Sequence, residues 1–291
     1  MTSEHPAAST QGLNLSYSRR ATALNGVTVD FSHGAITGLI GRNGAGKTSL
    51  LRVLAGREPR FTGDVQVLGL PVRKLPAGAV HICVDWWPFA GDLRITDLIQ
   101  QLRRVHTRFD QDRARELLDA FGIDPRRRAG ALSRGQLSAA LTSLALASRA
   151  DLVMLDEPHL GMDAPSRALL NRACVEDAAD MPGSLIISTH LVDETAGLFE
   201  RVVILDRGQV VAADDVDSLC AAYARVDGPY DLVSSLPTLQ PVERIGNRGS
   251  ALVARTDAPD PHDAHVTPVT LQELSGALSV PAPSTLSTTT S

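Results

Sequence analysis

The stretch Gly41-Arg42-Asn43-Gly44-Ala45-Gly46-Lys47-Thr48 (GRNGAGKT) decides how the rest of the chain is read. It fits the spacing G-x-x-x-x-G-K-[ST], with an apolar run before it (AITGLI, 35–40) and a helical pattern after it (TSLLRVLAG, 48–56). A glycine-rich turn between strand and helix can bend tightly and aim its N–H groups at a phosphate, and the helix N-terminus adds partial positive charge. The lysine stands out. Of 28 basic residues only two are lysines, Lys47 and Lys74, and the others are arginines. A compact ammonium suits β- and γ-phosphates in a backbone cradle where a planar guanidinium fits poorly. The Thr48 hydroxyl beside it suits Mg²⁺. A glycine-rich turn that holds Lys-Thr by chance is the structural alternative; the flanking strand and helix weigh against it.

A metal at such a loop needs a second, acidic element. LVMLDEP (152–158) supplies one. Asp156 ends a four-residue apolar run and is placed to hold Mg²⁺ through water. Glu157 follows at once, placed to polarise an attacking water. His190 ends the next apolar run (IIST, 186–189). A strand-end histidine is often structural, but here it faces the crevice at the carboxyl ends of the strands, where ligands bind to such sheets.

The chain has 291 residues, 43% of them apolar, enough for one sizeable core and a smaller unit. Its longest apolar runs are far below the roughly 20 residues of a membrane span. The start, MTSEHPAAST, lacks the basic and apolar regions of a signal peptide, so a cytosolic protein is expected. Cys83, Cys174 and Cys220 are odd in number and widely spaced, which suggests neither a disulfide framework nor a zinc site. Cys174 reads as packing. The net charge of −5 gives no general attraction to nucleic acid, and no nucleic-acid partner is expected.

Strand patterns occur within 11–40, at 64–69 and at 79–84; residues 93–149 are helical in pattern. From 151 strands and helices alternate again: DLVMLDE, a helix at 164–180 with Pro165 in its first turn, SLIIST, a short helix at 191–199, a hairpin and a closing helix. This pattern predicts an α/β fold, a mainly parallel sheet covered by helices, with a helical insertion at about 86–149. Residues 1–10 read as a disordered N-terminus and 11–216 as the main domain. Residues 217–280 read as a small α+β accessory domain, and 281–291, rich in Pro, Ser and Thr, as a disordered tail.

One helix entry remains. In GALSRGQLSAALTSLAL (130–146), Ser133 first reads as an N-cap before an apolar helix. The full set of motifs, in order, resembles the ATP-binding cassette (ABC) family: GRNGAGKT, LSRGQ (132–136), LVMLDE, HLGMD ending in Asp163, and His190. The resemblance covers roughly 11–216. It implies a P-loop NTPase fold of the ABC nucleotide-binding type that binds ATP and Mg²⁺. It implies nucleotide contacts from Gly41 through Thr48 and from Ser49, and adenine stacking on Tyr17. Ser133, Gly135 and Gln136 would then serve ATP held by a partner subunit, with Asp163 also at the composite site. Glu157 and His190 would be catalytic, and Thr48 and Asp156 would serve the metal. Counting back from LRITDLI places Asp85 where the family has a metal-proximal Gln. Trp86 and Trp87 follow it, beside a groove that receives a membrane-subunit helix in transporters. There are two further departures: Arg134 stands for a usual Gly, and His159 for the small hydroxyl residue that commonly follows Glu-Pro.

The resemblance implies the ATPase subunit of a transporter. It would pair with a second copy or a paralogue around two ATPs and sit on the inner face of the membrane through separate permease subunits. The C-terminal VTLQEL (269–274) looks like bacterial ABC-2-type exporters, so export is the expected direction. A soluble ABC ATPase acting on DNA or the ribosome is the alternative. The negative net charge and short insertion argue against it. A non-hydrolysing regulator would have little use for Glu157.

Overall fold

The computed structural model describes residues 5–18, 21–84, 92–180, 183–260 and 262–279. Asp85, Trp86, Trp87 and the 281–291 tail lie outside the described residues. The chain opens with β1 (Ala8–Ser18), β2 (Ala21–Phe31) and β3 (Ile36–Ile40), and α1 (Lys47–Leu54) follows the phosphate-type loop. Next come β4 (Phe61–Val67), β5 (Leu70–Pro71) and β6 (Val80–Cys83). Three helices follow: α2 (Ile95–Val105), α3 (Gln111–Ala120) and α4 (Arg134–Ala147). The alternation returns with β7 (Leu152–Asp156), α5 (Ala164–Asp180), β8 (Ser184–Thr189) and α6 (Val192–Thr195). β9 (Arg201–Asp206), β10 (Gln209–Asp215) and α7 (Val216–Ala221) complete the main body. The last part holds β11 (Tyr223–Pro229), α8 (Tyr230–Ser234), β12 (Glu243–Ile245), β13 (Arg248–Ala254), β14 (His265–Pro268) and α9 (Leu271–Leu278).

The central sheet has the order β10-β9-β3-β8-β7-β6, and all neighbours but β10 and β9 run parallel. Its strands read as unbroken apolar runs because both faces are covered. Successive side chains enter opposite cores: Val153 and Leu155 of β7 join one cluster, Leu152 and Met154 the other. β8 divides likewise, Leu185 and Ile187 against Ile186. One core packs α2 to α5 on the sheet. The other packs α1 and a second sheet, which is antiparallel with the order β2-β1-β4-β5. The early strand patterns thus belong mostly to a separate antiparallel layer rather than to the parallel sheet.

The N-terminus corrects an expectation. Residues 1–10 read as disordered from composition, yet β1 begins at Ala8. Ala7 and Ala8 are fully buried, and the Ala7 N–H donates to the Phe31 carbonyl at 2.8 Å. Two methyl side chains can sit under a strand pair, yet they are too small and their flanks too polar to give an apolar period.

The helical block 93–149 is tied to the main body by charge. Asp177 on α5, buried, accepts from Arg149 at 2.6 Å and from Arg113 of α3; Arg149 also pairs with Asp110 at 3.0 Å. A second tie is neutral. His81 on β6 and His106 after α2 meet at 3.0 Å (Nδ1 to Nε2), and His106 Nδ1 lies 3.0 Å from the Gly78 carbonyl oxygen. A carbonyl only accepts, so His106 Nδ1 carries its proton and His106 Nε2 accepts from His81.

Burial, and then the neighbouring His106, hold His81 down at about 3. Burial also lowers His106. The unfolded chain therefore takes up protons below about pH 6.5 that the folded His81 refuses. This share of stability is complete above about pH 6.5 and falls as the pH drops toward about 3. The expected loss for His81 is roughly 2 kcal/mol between pH 7.5 and 5, read as the shift in urea midpoint. His81→Asn keeps a donor at the Nδ1 position and cannot be protonated, so it should flatten that dependence. An unchanged pH slope in this variant would assign the loss to other groups.

The C-terminal part forms the antiparallel sheet β12-β13-β11-β14 with α8, an α+β unit. Its last helix bridges the two parts: Glu273 pairs with Arg225 of β11 at 2.8 Å, and Ala277 packs with Leu252 of β13. α9 returns to the main body, where Leu271 and Leu274 are buried in the same core as Ile40 of β3 and Val192 of α6. The three cysteines are free thiols; Cys174 is fully buried, which pushes it up to about 12, as an inert packing residue requires. Among the described residues no helix is long and apolar enough to cross a membrane.

Candidate functional site: a phosphate loop facing an acidic pair

β3, β8 and β7 lie side by side and parallel, with Ile40 paired to Thr189 and Asp156 to Ser188. Their carboxyl ends therefore bring three separate sequence motifs to one edge: the loop 41–48, His190, and the pair Asp156-Glu157. The loop's tight course requires its glycines. Gly46 sits at φ 107, and a Cβ there would come within 2.6 Å of the Ala23 carbonyl oxygen. Within the loop Ala45 is buried and its N–H donates to the Arg42 carbonyl, while Arg42, Asn43 and Gly44 are exposed.

Lys47 opens α1 and is only 5% exposed. Its ammonium donates to the carbonyl of Gly41 at 2.6 Å and of Arg42 at 3.3 Å, and lies 3.0 Å from Glu157 Oε1. Its neighbours are therefore all acceptors and take its three donors, so an incoming oxyanion has to displace one of them. Thr48 donates to Asp156 Oδ2 at 2.7 Å, and Ser188 donates to Asp156 Oδ1 at 2.5 Å. Thr48 and Asp156 make a hard-oxygen pair of the kind Mg²⁺ accepts when nucleotide phosphates and water supply its other ligands. Two of the residues expected at the metal, Thr48 and Asp156, thus meet; Asp85, the third, lies outside the described residues.

Glu157 has φ 50, the left-handed region that side chains rarely adopt. Its N–H is held by Ser188, at 3.0 Å from Oγ and 3.2 Å from the carbonyl oxygen. This strained position turns the carboxylate into the site, where Oε2 accepts from His190 Nδ1 at 2.7 Å. Glu157 thus lies between the lysine and the histidine. While Lys47 holds Oε1, the base is occupied. Any group that draws the ammonium away leaves Glu157 Oε1 free to accept.

Tyr17 lies at the rim, 42% exposed, with its hydroxyl 3.2 Å from Ser49 Oγ. That bond places the phenol end of the ring beside the start of α1. A cleft of about 320 Å³ also opens here between Gly41, Arg42, His190 and the α9 residues Gln272 and Ser275. Sequence reasoning missed this wall, because α9 follows the loop by more than 200 residues and its pattern signals only a helix. Ser188 was missed too; its signal is its place two residues before His190 on a buried strand.

Within LSRGQ, Arg134 lines a small cavity together with Asp156, while no hydrogen bond or ion pair among the described residues joins Ser133 or Gln136 to the cluster. Ser133 is the N-cap of α4: its oxygen accepts from the Gln136 N–H and its N–H donates to Gln136 Oε1, both at 3.2 Å. The first, structural reading of Ser133 therefore holds within the subunit. Ser133 is also exposed, so its hydroxyl proton stays available outside. Gly135 has a same-chain role, since a Cβ there would overlap the Gly161 carbonyl oxygen. Asp163 caps α5, accepting from the Ser166 N–H at 2.9 Å; bonds from Ser166 keep its carboxyl below the ordinary range.

Comparison with known proteins agrees with this geometry. A family model described as ABC transporter matches residues 24–160. The ABC transporter ATP-binding protein YtrB of Bacillus subtilis is 28% identical, over 72% of this chain and 72% of its own length. The aliphatic sulfonates import ATP-binding protein SsuB 2 of Streptomyces avermitilis is 32% identical, over 70% of this chain and 79% of its own. Among solved structures, a dimeric ATP-binding cassette in a post-hydrolysis state bound to ADP and Pi superposes with TM-score 0.63. It is 16% identical and covers 72% of this chain and 98% of that one, a likeness of fold.

Proposed function

The chain belongs to the ATP-binding, ATP-hydrolysing subunits of ABC transporters, and from that premise we propose how it works: two subunits close head to tail on two MgATP, and their cycle drives separate membrane subunits. One observation carries this reading. The phosphate loop and the exposed N-terminus of α4 each present a helix start, where backbone N–H groups and the helix dipole favour anions, and among the described residues no hydrogen bond or ion pair joins Ser133 to the loop 41–48. A second ATP-facing element that does not meet its own loop is completed by a partner's loop. Mg²⁺, held by Thr48 and Asp156, would offset phosphate charge. Lys47 would hold phosphate, Glu157 would take the proton of water, and His190 would orient Glu157. The permease subunits would place the chain on the inner face of the membrane. The expected export direction has an import protein among the relatives against it, and the proposal is neutral on direction.

Complementation between variants tests the pairing. Lys47→Ala spoils the loop, and Ser133→Arg spoils the α4 entry. In a mixed dimer one composite site takes both defects, and the other combines an intact loop with an intact α4 entry. ATP-dependent association, measured by sedimentation, should be absent in either variant alone and return on mixing. If both elements serve one nucleotide within one subunit, mixing restores nothing.

A further inference from the structure

The loop from Glu157 to Asp163 is fastened on both sides. Towards α4, Ser138 donates to the Pro158 carbonyl at 2.6 Å, and Gly135 packs on Gly161. Towards the segment after β8, Glu157 holds His190. A second fastening runs through His159, which is 2% exposed. His159 Nε2 lies 2.7 Å from Asn171 Oδ1 on α5, and Asn171 Nδ2 donates to the Glu194 carbonyl of α6 at 3.0 Å. That carbonyl can only accept, so the amide orientation follows: Asn171 presents oxygen to the imidazole, and Nε2 of His159 carries the proton. His159 Nδ1 is then a bare acceptor, and it is buried without a hydrogen-bond partner. A buried acceptor without a partner is costly and calls for an explanation. Arg167 of α5 adds an ion pair to Glu194, 2.6 Å between Nε and Oε2, so α5 and α6 are joined at two points.

We infer that His159, through Asn171, is a positioning residue that links the helix after His190 to the loop 157–163, and so to the α4 entry that faces the partner's nucleotide. This deepens the paired-subunit reading and rests on it. His190 and α6 register the nucleotide of one site. The loop holds Pro158 and Gly161 against α4, whose Ser133 serves the other site. With both Glu157–His190 and His159–Asn171–Glu194 in place, displacement of α6 moves the loop as a unit. With only the first, the segment after Pro158 can lag behind.

Hydrogen exchange and kinetics on the full chain test this, with a non-hydrolysable ATP analogue and Mg²⁺ as the probe. His159→Phe fills the space without a donor, and His159→Gln returns an N–H near the Nε2 position. In the wild type the analogue should slow exchange at both 192–195 and 133–138. His159→Phe should keep the change at 192–195 and lose most of that at 133–138, with kcat down roughly tenfold and KM within about twofold. His159→Gln should restore both. Asn171→Leu, on a half-buried helix face, should reproduce the His159→Phe result, and the double variant should be no worse than either; it serves also if His159→Phe folds poorly. A wild-type response at 133–138 in both His159→Phe and Asn171→Leu would overturn the inference and leave the pairing reading intact. Absence of any nucleotide-dependent protection at 133–138 in the wild type itself would overturn both.

Discussion

Glu157→Gln is expected to bind ATP more tightly and to hydrolyse it slower by a factor on the order of 10² or more. Both effects come from one carboxylate. Its Oε1 lies 3.0 Å from the Lys47 ammonium, and its Oε2 accepts from His190 at 2.7 Å. The amide has nearly the same shape but cannot take a proton from water, so the chemical step loses its base. It also has no charge with which to hold Lys47. An incoming phosphate then no longer competes for the ammonium, which should lower the Kd by roughly fivefold, about 1 kcal/mol. Calorimetric titration with MgATP beside a phosphate-release assay reads the two effects separately. Weaker binding in the variant would mean that the lysine–glutamate pair does not compete with the nucleotide. An undiminished rate would remove Glu157 as the base.

Lys47→Ala is expected to act in the opposite sense on binding. The ammonium is 5% exposed and surrounded by the Gly41 and Arg42 carbonyls and the Glu157 carboxylate. Removing it leaves those acceptors facing the phosphates with no positive charge between them. Loss of one partner from a buried, charged hydrogen-bonded pair costs about 3 kcal/mol, so MgATP affinity should fall by a factor on the order of 10². Lys47→Arg should not restore it, because the planar guanidinium cannot take the place of a compact ammonium beneath Gly41. Unchanged affinity in the alanine variant, with the melting temperature also unchanged, would withdraw the phosphate-binding role from the loop.

Much of the site was legible in the sequence because its parts are local. A glycine loop between an apolar strand and a helix, an Asp-Glu pair ending a strand and a histidine ending the next each carry their position in a few adjacent residues. In a parallel sheet all strand ends of one sense lie on one edge, so order along the chain implied proximity in space. Ser133 illustrates the limit. Its capping box with Gln136 is local and readable, whereas service to a partner's nucleotide is a property of an assembly and was implied only by resemblance. The antiparallel sheet around β1 was not readable, since a strand pattern does not say which strands will pair. Neither was the burial of Ala7 and Ala8, whose small side chains leave no apolar period.

By itself, then, the amino-acid order determined the α/β alternation, the helical insertion and the phosphate loop with its acidic partners, since each follows from periodicity and turn chemistry within one segment. Tertiary structure alone decided which groups touch. Lys47 meets Glu157 from 110 positions away, Ser188 grips Asp156 across a strand pair, and α9 returns to pack beside Ile40 and Val192. It also joined His159 to α6 through Asn171, and left one imidazole nitrogen buried without a partner. Such contacts depend on strand order, on helix approach and on side-chain directions to within a few tenths of an ångström, and these are set when the whole core packs.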